Sequence, residues 1–138
     1  MRITRLYTPG LIQRTQFFRS LKSIGIFGST IDSVLVKYGK NIVEQQYILN
    51  RLAQAAIDTY TMSVILSRAS TSASKQLASA DHEILMTQVW CAEASNRVDQ
   101  NLNAVQERKT LDVYSKLSQI SRNVCDAKGI VQTSPLDF

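Results

Sequence analysis

Apolar residues return along most of this chain at three- and four-residue steps, the spacing that lines one face of an α-helix. The clearest run lies near the C-terminus, where Val113, Leu117, Ile120, Val124 and Ala127 form an unbroken stripe. Thr110 is placed to cap that helix, Lys128 to sit in its last turn, and Gly129 to end it. Upstream, Ile84, Cys91, Val98 and Val105 recur every seven residues with Ala94 and Leu102 beside them, a seam suited to antiparallel bundle packing. The spacing predicts that this helix opens near Ser79, with Asp81 and Glu83 at its positive end.

From about Asn41 to Ser70, Ile42, Leu49, Leu52, Ala53, Ala56 and Tyr60 keep helical spacing, and Met62, Val64, Ile65 and Leu66 then leave almost no polar face. A helix apolar on most sides is expected to be surrounded by others. Before it, a shorter helix is expected to open at Ser29 or Thr30, where a hydroxyl can cap free amides and Asp32 sits in the first turn. It would carry Ile31, Val34, Leu35 and Tyr38 and break at Gly39. The Ser- and Ala-rich stretch from Ser67 to Ser79 reads as a frayed helix end and a loop. The ending GIVQTSPLDF is expected to lie back against the bundle. The chain is therefore read as all-α: a small antiparallel bundle of about four helices over residues 29–138, preceded by a disordered N-terminal presequence. Its 138 residues suffice to bury a core without disulfide or metal staples.

Charge sets the first segment apart. Residues 1–28 carry Arg2, Arg5, Arg14, Arg19 and Lys22 and no acid, while the remaining 11 basic and 11 acidic residues cancel. A neutral body argues against a nucleic-acid partner. An acid-free segment rich in Arg, Ser and Thr is the composition of a mitochondrial transit peptide, whose positive charge is drawn to the negative interior across the inner membrane. A basic tail on a cytosolic protein is the alternative. The amphipathicity is imperfect, because Arg14 falls among Leu11, Phe18 and Leu21 and Pro9-Gly10 interrupts the start. Residues 1–28 are not expected to enter the core, cleavage is expected between Arg19 and Thr30, and Met1 ahead of such a leader is read as the start of a free-standing mitochondrial protein.

Candidate chemistry is sparse. Cys91 and Cys125 fall on different predicted helices and read as small hydrophobes, and a single histidine leaves no zinc-ligand set. His82 and Glu83 are adjacent, about 100° apart on a helix, a poor arrangement for sharing one proton. The acids stand singly, with no Gly-rich phosphate loop and no nucleophile elbow. Trp90, Tyr47, Tyr60 and Tyr114 read as core packing rather than as a nucleotide-stacking platform. No catalytic, cofactor-binding or metal-ligating residue is assigned, and no cofactor is expected.

The segment NIVEQQYILNRLAQAAIDTYTMSVILSRAS, from Asn41 to Ser70, resembles a helix in the C-terminal extension of the very-long-chain acyl-CoA dehydrogenases and of acyl-CoA dehydrogenase family member nine. HEILMTQVWCAEA, from His82 to Ala94, is similar to the next helix of that extension, and GIVQTSPLDF resembles its ending. Together these segments carry the resemblance over about residues 32–138. In that family the acyl-CoA site, most of the flavin site and the catalytic glutamate belong to a body that precedes the extension. The resemblance thus implies a non-catalytic interaction module with a protein partner, either a dehydrogenase body or a complex I assembly factor. It also implies association with the matrix face of the inner membrane. An auxiliary subunit of a long-chain fatty-acid β-oxidation flavoenzyme is the alternative, with self-association as the fallback if the partner is missing.

Overall fold

The structure, a computed structural model, describes the backbone of residues 9–134 and 136, with side chains from Thr15 onward except Gln16. Four α-helices run in order: α1 (Pro9–Tyr38), α2 (Gln46–Ser74), α3 (Ala80–Ala104) and α4 (Arg108–Ala127), with a 3-10 segment at Gly39–Glu44 between the first two. No strand occurs among the described residues. The all-α expectation holds. No helix among those residues is long and apolar enough to cross a membrane.

α1, α2 and α3 pack against one another as the bundle. On α3 the seven-residue seam is buried throughout, at Ile84, Cys91, Val98 and Val105, together with Ala94 and Leu102. α2 answers with a heptad of its own, Ile48, Ala55, Met62 and Ala69, also buried. The main cluster joins Ala55 and Met62 to Cys91, Ala94, Val98 and Leu102, with Ile26, Phe27, Leu52, Ile65, Leu66 and Trp90 closing around it. Alanines at the closest approaches let two backbones come together, while Met62 fills the space left between them.

The first helix corrects the sequence reading. α1 opens at Pro9 rather than at Ser29 or Thr30, so residues 9–28 are helical; the rest of the expected disordered start, residues 1–8, lies outside those described. Proline suits a first helical turn, where its missing N–H costs nothing. Ser20, Ser23, Thr30 and Val34 are buried and Phe27 is half-buried, so this segment does enter the core. These five recur at steps of three and four, but three of them are hydroxyl residues that a hydrophobic pattern passes over. Leu21 and Phe18, expected to mark the apolar face, are exposed.

Gly39 breaks the chain where the sequence places the break, at φ +51°, a left-handed conformation that glycine adopts without a Cβ clash. The residues after it form the 3-10 turn before α2 starts, later than the expected Asn41. α2 then continues to Ser74, past the predicted end at Ser70, and the loop is confined to the few residues before α3.

α4 departs most from expectation. It opens two residues before Thr110, after Glu107 in extended backbone, and the Thr110 hydroxyl donates to Glu107 Oε2 at 2.8 Å instead of capping the amides. At its other end Lys128, at φ 53°, takes the left-handed position. The N–H of Gly129 reaches the carbonyl of Val124 and that of Lys128 the carbonyl of Cys125, a Schellman ending one residue earlier than glycine predicts. No residue of α4 is buried, and Ile130, Val131 and Leu136 are exposed, so the described part of the tail does not lie back on the bundle.

Candidate interaction surface

Charged groups inside the bundle are engaged with one another. Asp58 on α2 receives two hydrogen bonds from Arg97 on α3, Nε to Oδ2 at 3.0 Å and Nη2 to Oδ1 at 2.8 Å, and the guanidinium lies 4.5 Å from the Trp90 ring centre. A planar bidentate pair stacked on an indole fixes one rotation of α2 against α3. The sequence signal for it was an acid and an arginine each standing inside an apolar seam. Glu83 accepts Arg68 Nε at 3.0 Å and Nη2 at 3.1 Å, the Ser79 hydroxyl at 2.8 Å, and the Ser72 hydroxyl.

Those donors, Arg68 foremost and then the two serines, hold the Glu83 carboxyl down at about 2, from an ordinary value of 4.5. A depressed carboxylate pKa contributes stability that is complete above the ordinary value and lost as the pH falls through the folded one. Glu83→Gln is therefore expected to be less stable than the parent at neutral pH, with the gap closing between pH 4.5 and about 2. Urea titrations across that range check it; a gap indifferent to pH would refute this role for the carboxylate.

His82, beside it, is exposed, and the Glu83 oxygens are taken by Arg68, Ser72 and Ser79. Cys91 is buried, which pushes its thiol pKa up, and Cys125 is exposed. Among the described residues no group of three or more His, Cys, Asp or Glu side chains is placed to hold a metal ion.

The aromatic residues divide. Trp90 is half-buried against the main cluster. Tyr47 stacks on Tyr114 with ring centres 5.5 Å apart, and the Tyr114 hydroxyl accepts Arg51 Nε at 3.1 Å. Arg51 also donates to Asn101 on α3, so one side chain links three helices. Leu111 and Tyr114 rest on the second cluster of Val34, Ile48 and Val105. This anchor holds the first turns of α4. Tyr47, 38% exposed, and Tyr60, 72% exposed on the outer face of α2, depart from the expected core packing.

Apolar side chains also remain uncovered on several helices. Ile57, Tyr60 and Val64 line the outside of α2; Phe17, Leu21, Ile24 and Leu35 line α1; Val113, Leu117, Ile120 and Val124 line α4. An open groove of about 620 Å³ lies between α2 and α3, walled by Ile65, Leu85, Met86, Val89 and Trp90 with Arg68 and His82 at its edge. Isolated exposed apolar residues need no explanation, but stripes at helical spacing on several helices mark surfaces of association.

The family model described as "ACAD9/ACADV, C-terminal domain" matches residues 15–130. The chain belongs to this family. Residues 15–28, read from the sequence as part of a leader, thus fall within the C-terminal domain, in keeping with their place on α1. The chain is 34% identical over 120 residues to the very long-chain specific acyl-CoA dehydrogenase, mitochondrial, of Bos taurus, 35% over 120 residues to that of Homo sapiens, and 35% over 118 residues to that of Mus musculus. These alignments cover 85–86% of this chain but only 18% of each relative. The ACAD9/ACADV C-terminal domain is thus the part of the dehydrogenase to which this module is related.

Proposed function

We propose that the chain is a non-catalytic mitochondrial interaction module that docks on an acyl-CoA dehydrogenase body or serves complex I assembly at the inner membrane. The observation that carries this reading is a C-terminal dehydrogenase domain whose helices keep apolar stripes uncovered, above all Ile57, Tyr60 and Val64 on α2. A bundle that has already buried one seam between three helices presents the opposite face to something else. Mitochondrial residence is part of the reading: the relatives carry the word in their names, and the acid-free residues ahead of the matched domain, with Arg2, Arg5 and Arg14, suit import. The alternative is an auxiliary subunit of a long-chain fatty-acid β-oxidation flavoenzyme, favoured by the names of the same relatives.

On either reading the chain supplies contacts and not chemistry. The purified protein is expected to show no stoichiometric flavin absorbance and to oxidise no acyl-CoA. A yellow preparation free of any other chain, turning over acyl-CoA, would overturn the non-catalytic reading.

A further inference from the structure

α4 and α3 are opposites in charge and alike in pattern. α4 with Lys128 holds Arg108, Lys109, Lys116, Arg122 and Lys128 against Asp112 and Asp126, five bases to two acids, a net of +3. α3 holds Asp81, Glu83, Glu93 and Asp99 against Arg97, four acids to one base, a net of −3. On α4, Lys109 and Lys116 stand one helical step from Val113 and Ile120, so cations border the exposed stripe; Lys116 also meets Asp112 on its own helix at 2.7 Å, an exposed pair open to exchange, while Asp126 falls on another face. On α3 the exposed Leu85 and Val89 are flanked by Asp81 and, about five turns on, Asp99 along one side and by Glu93 along the other.

The lengths also agree. At 1.5 Å per residue, Lys109 to Lys128 spans about 28 Å and Asp81 to Asp99 about 27 Å, so one row of charges fits along the other. Within one chain these surfaces do not meet. Leu111 and Tyr114 pin the start of α4 to the cluster around Val34, Ile48 and Val105, while Leu85 lies about 30 Å away along α3. Arg68, the cation at the edge of the groove, is already neutralised by Glu83.

We propose that α4 of one copy lies on the outer face of α3 of a second copy. Val113, Leu117, Ile120 and Val124 enter the groove at Leu85, Met86 and Val89, and Lys109, Lys116 and Lys128 face Asp81, Glu93 and Asp99. The contact is made twice, by each copy on the other, which closes the assembly at a dimer. It leaves the outer face of α2 free, and so stands independently of any dehydrogenase partner.

The test is an exchange of charges. Lys109→Glu with Lys116→Glu makes one variant, and Glu93→Lys with Asp99→Lys makes another; all four positions lie outside the buried core. Each variant alone sets like charges against like, while a mixture restores opposite charges at both contacts. By light scattering on a sizing column, the parent is expected to be a dimer that weakens with salt. Each variant is expected to dissociate at least roughly tenfold more readily, and the equimolar mixture to recover a dimer containing one of each. Circular dichroism confirms that both remain helical. A monomeric parent across the concentration series, or a mixture that stays monomeric, overturns the proposal.

Discussion

Replacing Met62 by alanine is expected to lower the unfolding free energy by roughly 2–5 kcal/mol, the range for truncating a fully buried methionine. Met62 is wholly buried in one cluster with Ala55 on its own helix and Cys91, Ala94, Val98 and Leu102 on α3. Its alanine neighbours have no further side chain to extend into the gap, so the site collapses poorly. For a domain of this size that is a large part of the total stability. The matched control is Ile120→Ala, at 57% exposure on α4, which is expected to change stability by no more than about 0.5 kcal/mol when the protein is monomeric. Urea denaturation of both variants under dilute conditions measures the difference. Similar losses at the two positions would mean that α4 is part of the bundle after all.

The second large effect concerns association. Ile57→Asp combined with Val64→Asp puts two charges on a face that is exposed in the chain itself, 57% and 48% respectively. In solvent they cost little, and helicity and melting temperature are expected to stay near those of the parent. At an interface each charge would be desolvated without a partner, a penalty of roughly 2–5 kcal/mol, which weakens binding by tens to thousands of times. Partner binding is therefore expected to be lost while the fold survives. Retention of the partner by a folded double variant would move the docking face elsewhere, with the exposed stripe of α1 the next to test.

Periodicity alone disclosed α3 and the core face it presents, because four residues seven apart leave one packing solution for a helix. The break at Gly39 was equally legible, since the backbone there takes a positive φ that glycine supplies freely. Three features escaped for physical reasons. The bundle face of α1 is built from Ser20, Ser23 and Thr30, small enough to pack closely yet polar by composition, and so a hydrophobic pattern passes over it. The stripe of α4 announced amphipathicity but not the identity of what covers it; a helix destined for a partner and one destined for its own core carry the same pattern. The Asp58–Arg97 pair joins residues far apart in sequence, and no local rule links them. For function, the sequence carried the family resemblance and the poverty of catalytic groups, whereas the uncovered faces became visible only when the buried ones were known.

Affinity purification of the tagged chain from intact mitochondria, followed by mass spectrometry, tests the central claim most directly. The parent is expected to enrich an acyl-CoA dehydrogenase or a complex I assembly factor, and the Ile57→Asp, Val64→Asp variant to lose it while still recovering untagged copies of the chain. Recovery of the chain alone from mitochondria, with neither class of partner above background, would contradict the account.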